Sequence, residues 1–114
     1  MLMIKEIAVM QAENELNIGE QAFKTGNIGK ARVCARRACM FAVSFWLQNN
    51  STFDWGRTAI SYLEGVRDET SLPENVRLAA ERLTTKVDKQ FDTGHKENPI
   101  DDARLILNYF LPQY

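Results

Sequence analysis

The chain has 114 residues, of which 45% are hydrophobic and 25% charged, and its formal net charge is −1. These values fit a single globular domain over residues 1–114, long enough to bury a core without staples. The near-zero charge excludes wholesale electrostatic attachment to nucleic acid or membrane and confines any such contact to a local patch.

The opening Met1 to Glu6 turns polar before a signal-peptide core forms, and no apolar run approaches membrane-spanning length, so a cytoplasmic protein with no membrane contact is expected. Val9, Ala12, Leu16, Gly19 and Phe23 then recur at intervals of three and four, the spacing of one buried helical stripe. Gly26 and Asn27 supply a stop and a new start. Ala22 to Ala31 resembles a tetratricopeptide turn, but a repeat should return about 34 residues later. Nothing matching it follows position 56, which excludes a solenoid.

Ile28 to Leu47 reads as the second helix and is the most informative stretch. Ala31, Cys34, Ala35, Ala38, Phe41, Ala42 and Phe45 form its main stripe, with small residues that admit a neighbouring backbone closely. Val33, Met40 and Leu47 repeat every seven residues as a second apolar seam, flanked by Arg36 and Val43. A helix apolar on two sides is either central or covered by a copy of itself, and the expectation is a homodimer through Val33, Met40 and Leu47.

The same helix concentrates the positive charge. Lys30, Arg32, Arg36 and Arg37 fall between Asn27 and Asn50 without one acid, whereas residues 1–26 and 51–70 each carry an excess of acid. Arg32 and Arg36 lie one turn apart on one flank of the main stripe, Lys30 and Arg37 together on the other. Two arginines so spaced can fork onto phosphates or carboxylates. Three readings stay open: pairing with acids of neighbouring helices such as Glu13, Glu20, Glu64 or Asp68, a ligand or nucleic-acid site made of Arg32, Arg36, Arg37 and Lys30, or contact with a partner protein.

Ser51 with Asp54 resembles a cap for a third helix marked by Trp55, Ala59, Tyr62, Leu63 and Val66. Trp46 and Trp55 bracket the intervening loop and read as packing rather than base-stacking residues. Ser71-Leu72-Pro73-Glu74 is a stronger start signal, followed by Val76, Ala80, Leu83 and Val87 as a fourth stripe. Asp92 to Glu97 reads as a loop. Asn98-Pro99 opens a fifth helix carrying Ile100, Ala103, Ile106, Leu107 and Phe110 and stopping near Pro112. No segment alternates with period two. The fold expected is therefore all-α, an up-and-down bundle of about five antiparallel helices.

Catalytic signatures are absent. His95, the only histidine, sits in the glycine-containing loop without a sequence-adjacent partner. Asp101-Asp102 are placed to favour the positive end of the fifth helix. Cys34 and Cys39 point to different helix faces, form no intrahelical disulfide and lack metal-ligand spacing. No catalytic residue, metal or cofactor is expected.

With these elements laid out, the chain resembles the HEPN domain family, small helical bundles often encoded beside minimal nucleotidyltransferases. Residues 13–47 carry the first likeness, from Glu-Asn-Glu-Leu through Lys-Thr-Gly-Asn to Ala-Arg-Arg-Ala and Phe-Trp-Leu. Leu72-Pro73-Glu74-Asn75-Val76-Arg77 and the closing helix from Asn98 to Phe110 carry the rest. Many HEPN proteins are ribonucleases with an arginine and a histidine separated by roughly four to six residues. Here Asp88, Lys89 and Gln90 occupy the matching positions before His95, and the nearest upstream arginine is Arg82. The resemblance thus implies a dimeric binding or regulatory module with a nucleotidyltransferase, RNA or nucleotide partner. The competing class is a divergent ribonuclease using Arg36 or Arg37 on phosphate, with His95 or a carboxylate brought in by folding or by the second subunit.

Overall fold

The computed structural model describes residues 4–86 and 96–112. Five α-helices occur among them: α1 Lys5–Lys24, α2 Ile28–Gln48, α3 Ala59–Asp68, α4 Glu74–Thr84 and α5 Pro99–Phe110. No strand occurs among the described residues. The described residues form the expected all-helical bundle.

α1 turns its small residues inward. Ala8, Ala12, Leu16, Gly19 and Ala22 are buried, while Val9 and Phe23 of the expected stripe are only half-buried. The stripe is rotated because α2 approaches too closely for larger side chains. A Cβ built on Gly19 would lie 2.8 Å from Cys34 Cβ and 2.7 Å from Ile100 Cδ1, so α1, α2 and α5 meet at that glycine. The Thr25 hydroxyl closes α1 by donating to the carbonyls of Gln21 and Ala22, both at 3.1 Å. Gly26 then reverses the chain with φ +86°, a left-handed conformation that favours glycine. The Asn27 side chain starts α2 by accepting from the Lys30 N–H at 3.1 Å.

α2 packs against all four other helices. Its inward side is Ala31, Cys34, Ala35, Ala38, Cys39, Ala42 and Val43. α5 lies along it, α3 packs on α4 and on α2, and α1 rests on α2 with only light contact to α5. Lys5 Nζ also ties the start of α1 to the end of α5, donating to the Pro112 carbonyl at 2.6 Å.

Two starts differ in detail from the sequence reading. α3 begins at Ala59, not near Ser51, because Gly56 takes a left-handed φ of +76° that ends any helical run. Thr58 and Ser61 form its capping box instead, with reciprocal side-chain bonds of 3.0 and 2.9 Å. Trp55 therefore lies in the loop, stacked on Trp46 at 5.6 Å and lying over Gly65, where any Cβ would collide with the indole. α4 has Pro73 at its cap position and no side-chain cap, while the Ser71 hydroxyl donates to Glu69 at 2.6 Å. α5 starts as expected, with Asn98 Oδ1 accepting from the Ile100 N–H at 2.9 Å and Pro99 in the first turn. Val87 and the loop positions up to His95 lie outside the described residues.

The close approach at Gly19 decides the sign of one substitution. Alanine gains about 1 kcal/mol of helix propensity over glycine, but a methyl group here overpacks a three-helix junction at about 1–3 kcal/mol. Gly19→Ala should lower the urea unfolding free energy. A variant more stable than wild type would show that α1 and α2 are not in close contact there.

Candidate functional site on the second helix

The four cations of α2 meet three different fates. Arg32 is only 7% exposed. Its guanidinium donates to the carbonyls of Arg82 at 3.2 Å, Leu83 at 3.3 Å and Thr85 at 2.7 Å. Arg36 Nε adds a bond to the Leu83 carbonyl at 2.7 Å. These acceptors belong to the end of α4, where the last carbonyls have no intrahelical partner and the helix dipole is negative. Burial pushes the pKa of both arginines down, and for Arg32 the neighbouring charge of Arg36 does so further, opposed by Asp102. Both remain protonated, since guanidinium does not release its proton in proteins.

Arg82, at the same end of α4, holds the buried carboxylate of Asp102 on α5. Its Nη2 lies 2.8 Å and its Nε 3.1 Å from Asp102 Oδ1. That hydrogen bond is the main reason the Arg82 pKa is raised. Asp102 is thus a buried ion-pair partner as well as an acid near the start of α5. The sequence reading gave it only the second role.

Arg37 and Lys30 stay outside. Arg37 is exposed, with its Nε 3.3 Å from Glu15 Oε2 of α1. Glu15 is buried, and that oxygen accepts no hydrogen bond, because the nearby N–H is not aimed at it. Lys30 borders a shallow groove of about 490 Å³ at the hairpin end, lined also by Asn17, Ile18, Gln21, Thr25 and Asn27. The acids expected to neutralise α2 are engaged elsewhere. Glu13 and Glu20 pair with Arg104 of α5 at 3.7 and 3.9 Å, and Asp68 with Arg67 at 2.7 Å. Glu64 borders a cleft beside Trp55.

The second seam is most open near the start of α2 and closes towards its end. Val33 is 47% exposed, Met40 is half-buried, and Leu47 is half-buried against the core. Trp46 contacts Phe53 and Trp55, and meets Phe110 edge-on at 5.2 Å. That cluster fastens the α2–α3 loop to the bundle. Cys34 and Cys39 are free and buried. Burial raises both thiol pKa values, helped by the negative charge of Glu15 at Cys34 and of Asp102 at Cys39. His95 lies outside the described residues. Among the described residues no group of three or more His, Cys, Asp or Glu is arranged to hold a metal ion, and no helix is long and apolar enough to cross a membrane.

No family model matches the chain, and neither a curated protein nor a solved structure matches it.

Two expectations follow from this geometry. Arg32→Met should destabilise the fold by about 2–4 kcal/mol, because each buried carbonyl left without a donor costs about 1–3 kcal/mol and relaxation offsets part of the sum. Arg32→Lys should recover little, since an ammonium does not reproduce the planar fork. Equal stability of wild type and Arg32→Met in denaturant titration would refute the capping role. The cysteines set a pH dependence. A thiol whose folded pKa is raised keeps its proton in the native state while the unfolded chain loses it above about pH 8.5. Stability contributed by Cys34 and Cys39 is therefore full below that pH and declines as pH rises beyond it. A thiol reagent in excess should modify both residues only at the rate of opening, and immediate modification of the native protein would contradict their burial.

Proposed function

We propose that this chain is a non-catalytic, HEPN-like binding or regulatory module that works as a homodimer and meets a partner protein, a minimal nucleotidyltransferase being the partner class its resemblance implies. The observation that carries the reading is the uncovered strip on α2. A helix that already packs against every other helix still leaves Val33 almost half exposed and Met40 partly so. Apolar side chains in a row on an outer helix face are commonly covered by a second copy or a partner.

The charge distribution favours a protein over a nucleic acid. Arg32 and Arg36 are committed to the carbonyls of α4, which leaves Lys30 and Arg37 as the outward cations of α2, and Arg37 leans on Glu15. Phosphate binding draws its affinity from many such cations at once. Around these two, Val33 and Met40 supply apolar contact instead. The HEPN assignment itself is an analogy at the level of the fold, and the binding role is argued from this surface.

Light scattering should give twice the chain mass for the wild type, and Met40→Glu should weaken self-association at least 100-fold, about 2.7 kcal/mol. A monomeric wild type would end the dimer reading. RNA should survive incubation with the protein. Cleavage that disappears in His95→Ala would replace the module with a divergent ribonuclease. RNA binding that falls steeply with salt and is lost in Lys30→Ala would move the partner from protein to nucleic acid.

A further inference from the structure

Building on the dimer reading above, we infer that the dimer's two-fold axis passes through Asn14 of α1, so that the outer face of the α1–α2 hairpin, centred on α1 rather than α2, is covered by the same face of a second copy. Around the α1 axis, Ile4, Ile7, Met10, Gln11, Asn14, Asn17, Ile18 and Gln21 fall in one continuous sector that contains no charged residue. Ile4, Ile7, Met10 and Ile18 are among the exposed large hydrophobics of the protein, Met10 being 62% exposed. A solvent-facing helix side ordinarily carries charge. Here Glu6, Glu13 and Glu20 stand seven residues apart along one edge of the sector, and Arg104 neutralises the latter two. Arg37 and Lys30 of α2 border the other side of the hairpin face. A charge-poor centre with charges at its rim is the anatomy of a protein interface.

The order of residues says which occupant fits. An isologous contact requires a surface that matches itself after a half-turn. Counting outward from Asn14, Met10 and Ile18 lie four residues away on either side, and Gln11 and Asn17 lie three away. A half-turn about Asn14 therefore brings Met10 and Gln11 of one copy level with Asn17 and Ile18 of the other. Each such layer contains two apolar side chains and two amides. At the centre the two Asn14 amides can donate to and accept from each other, the device by which one interfacial asparagine fixes helix register.

α2 extends the same pattern. Glu15 meets Arg37, and Gly19 meets Cys34. That antiparallel register sets Val33 level with Gly19 and Glu20 and Met40 level with Ala12 and Glu13, adding apolar surface beside α1. Glu15, next to Asn14 in the chain, has a buried oxygen still lacking a hydrogen bond. The available area is of the order a stable interface needs. A 20-residue helix is about 30 Å long, and two helices side by side, about 9 Å between axes, present a face about 20 Å wide. Roughly 600 Å² in plan approaches the accessible area, about 800 Å² per partner, of a standard stable interface.

The test combines cross-linking with mass measurement on the full chain. Asn14→Cys places the two introduced thiols facing each other on the axis. Mild oxidation should convert most of the protein to a reducible covalent dimer. Gln21→Cys puts its two thiols about 20 Å apart across the same axis, and should give none. Met10→Glu, at an exposed position that leaves the core intact, should weaken the dimer at least 100-fold in sedimentation equilibrium while its thermal melt stays cooperative. Suppose the wild type is dimeric but Asn14→Cys does not cross-link, and Met40→Glu dissociates it while Met10→Glu does not. The α1 axis is then wrong, and the dimer through α2 stands. A monomeric wild type overturns both.

Discussion

α2 can touch every other helix because half of its circumference is built from alanine, cysteine and valine. Side chains of that size let neighbouring backbones come close, and Gly19 on α1 completes the fit where a Cβ would already collide. The bulk of the core comes from the surrounding elements: Leu16, Leu63, Leu83, Ile106, Leu107 and Phe110 are among the largest fully buried side chains, to which α2 adds only Val43 and Cys39. The second helix is a narrow spindle and the others supply the volume. Interiors pack at near-crystalline density, so a spindle of this kind tolerates little change of size, and the register of α1, α3 and α5 on it follows from shape.

Shape does little to fasten α4 to α2, which it meets far less than the other helices do. Arg32 and Arg36 provide the link by binding the carbonyls at the end of α4. The same helix end carries Arg82, which reaches Asp102 on α5. Two cations from α2, the negative end of α4, and one cation–carboxylate pair thus form a continuous polar seam joining three helices. Burying charge is expensive, and here every buried guanidinium shown has oxygen acceptors around it. Such a seam stabilises less than its bond count implies, because each group gave up water to enter it. What it contributes is alignment: a shift of α4 by one turn would strip the arginines of their acceptors.

This also explains which features were legible in the sequence. Asn27 and Asn98 were visible as caps because the cap is a side-chain property. The helices were visible because their apolar spacing is. The start of α3 was not, since Trp55 falls in phase with the helical stripe although it packs from the loop, and because Ser61 replaces the usual acidic or amide residue of a capping box. The destination of Arg32 and Arg36 was hidden for a deeper reason. Every residue carries a backbone carbonyl, so no letter in the sequence marks the end of α4 as their acceptor. Charge matching pointed to Glu13, Glu20, Glu64 and Asp68, while Glu15, placed within an apolar stripe between Ala12 and Gly19, drew no attention although it is the carboxylate beside Arg37. Its position was the available signal: three and four residues from buried small residues, an acid must be partnered or covered.

The outer face of α1 follows from the same economy of contacts. α1 rests mainly on α2, and it does so through alanine and glycine, so it buries less side-chain volume per turn than α5 does with Ile100, Ile106, Leu107 and Phe110. It is the helix with most to gain from further cover. A second copy laid on its uncharged sector would bury Ile7, Met10 and Ile18. Association that covers only the folded form stabilises it by mass action. In the proposed dimer, stability therefore rises with protein concentration, because the second copy covers a face that only the folded chain presents.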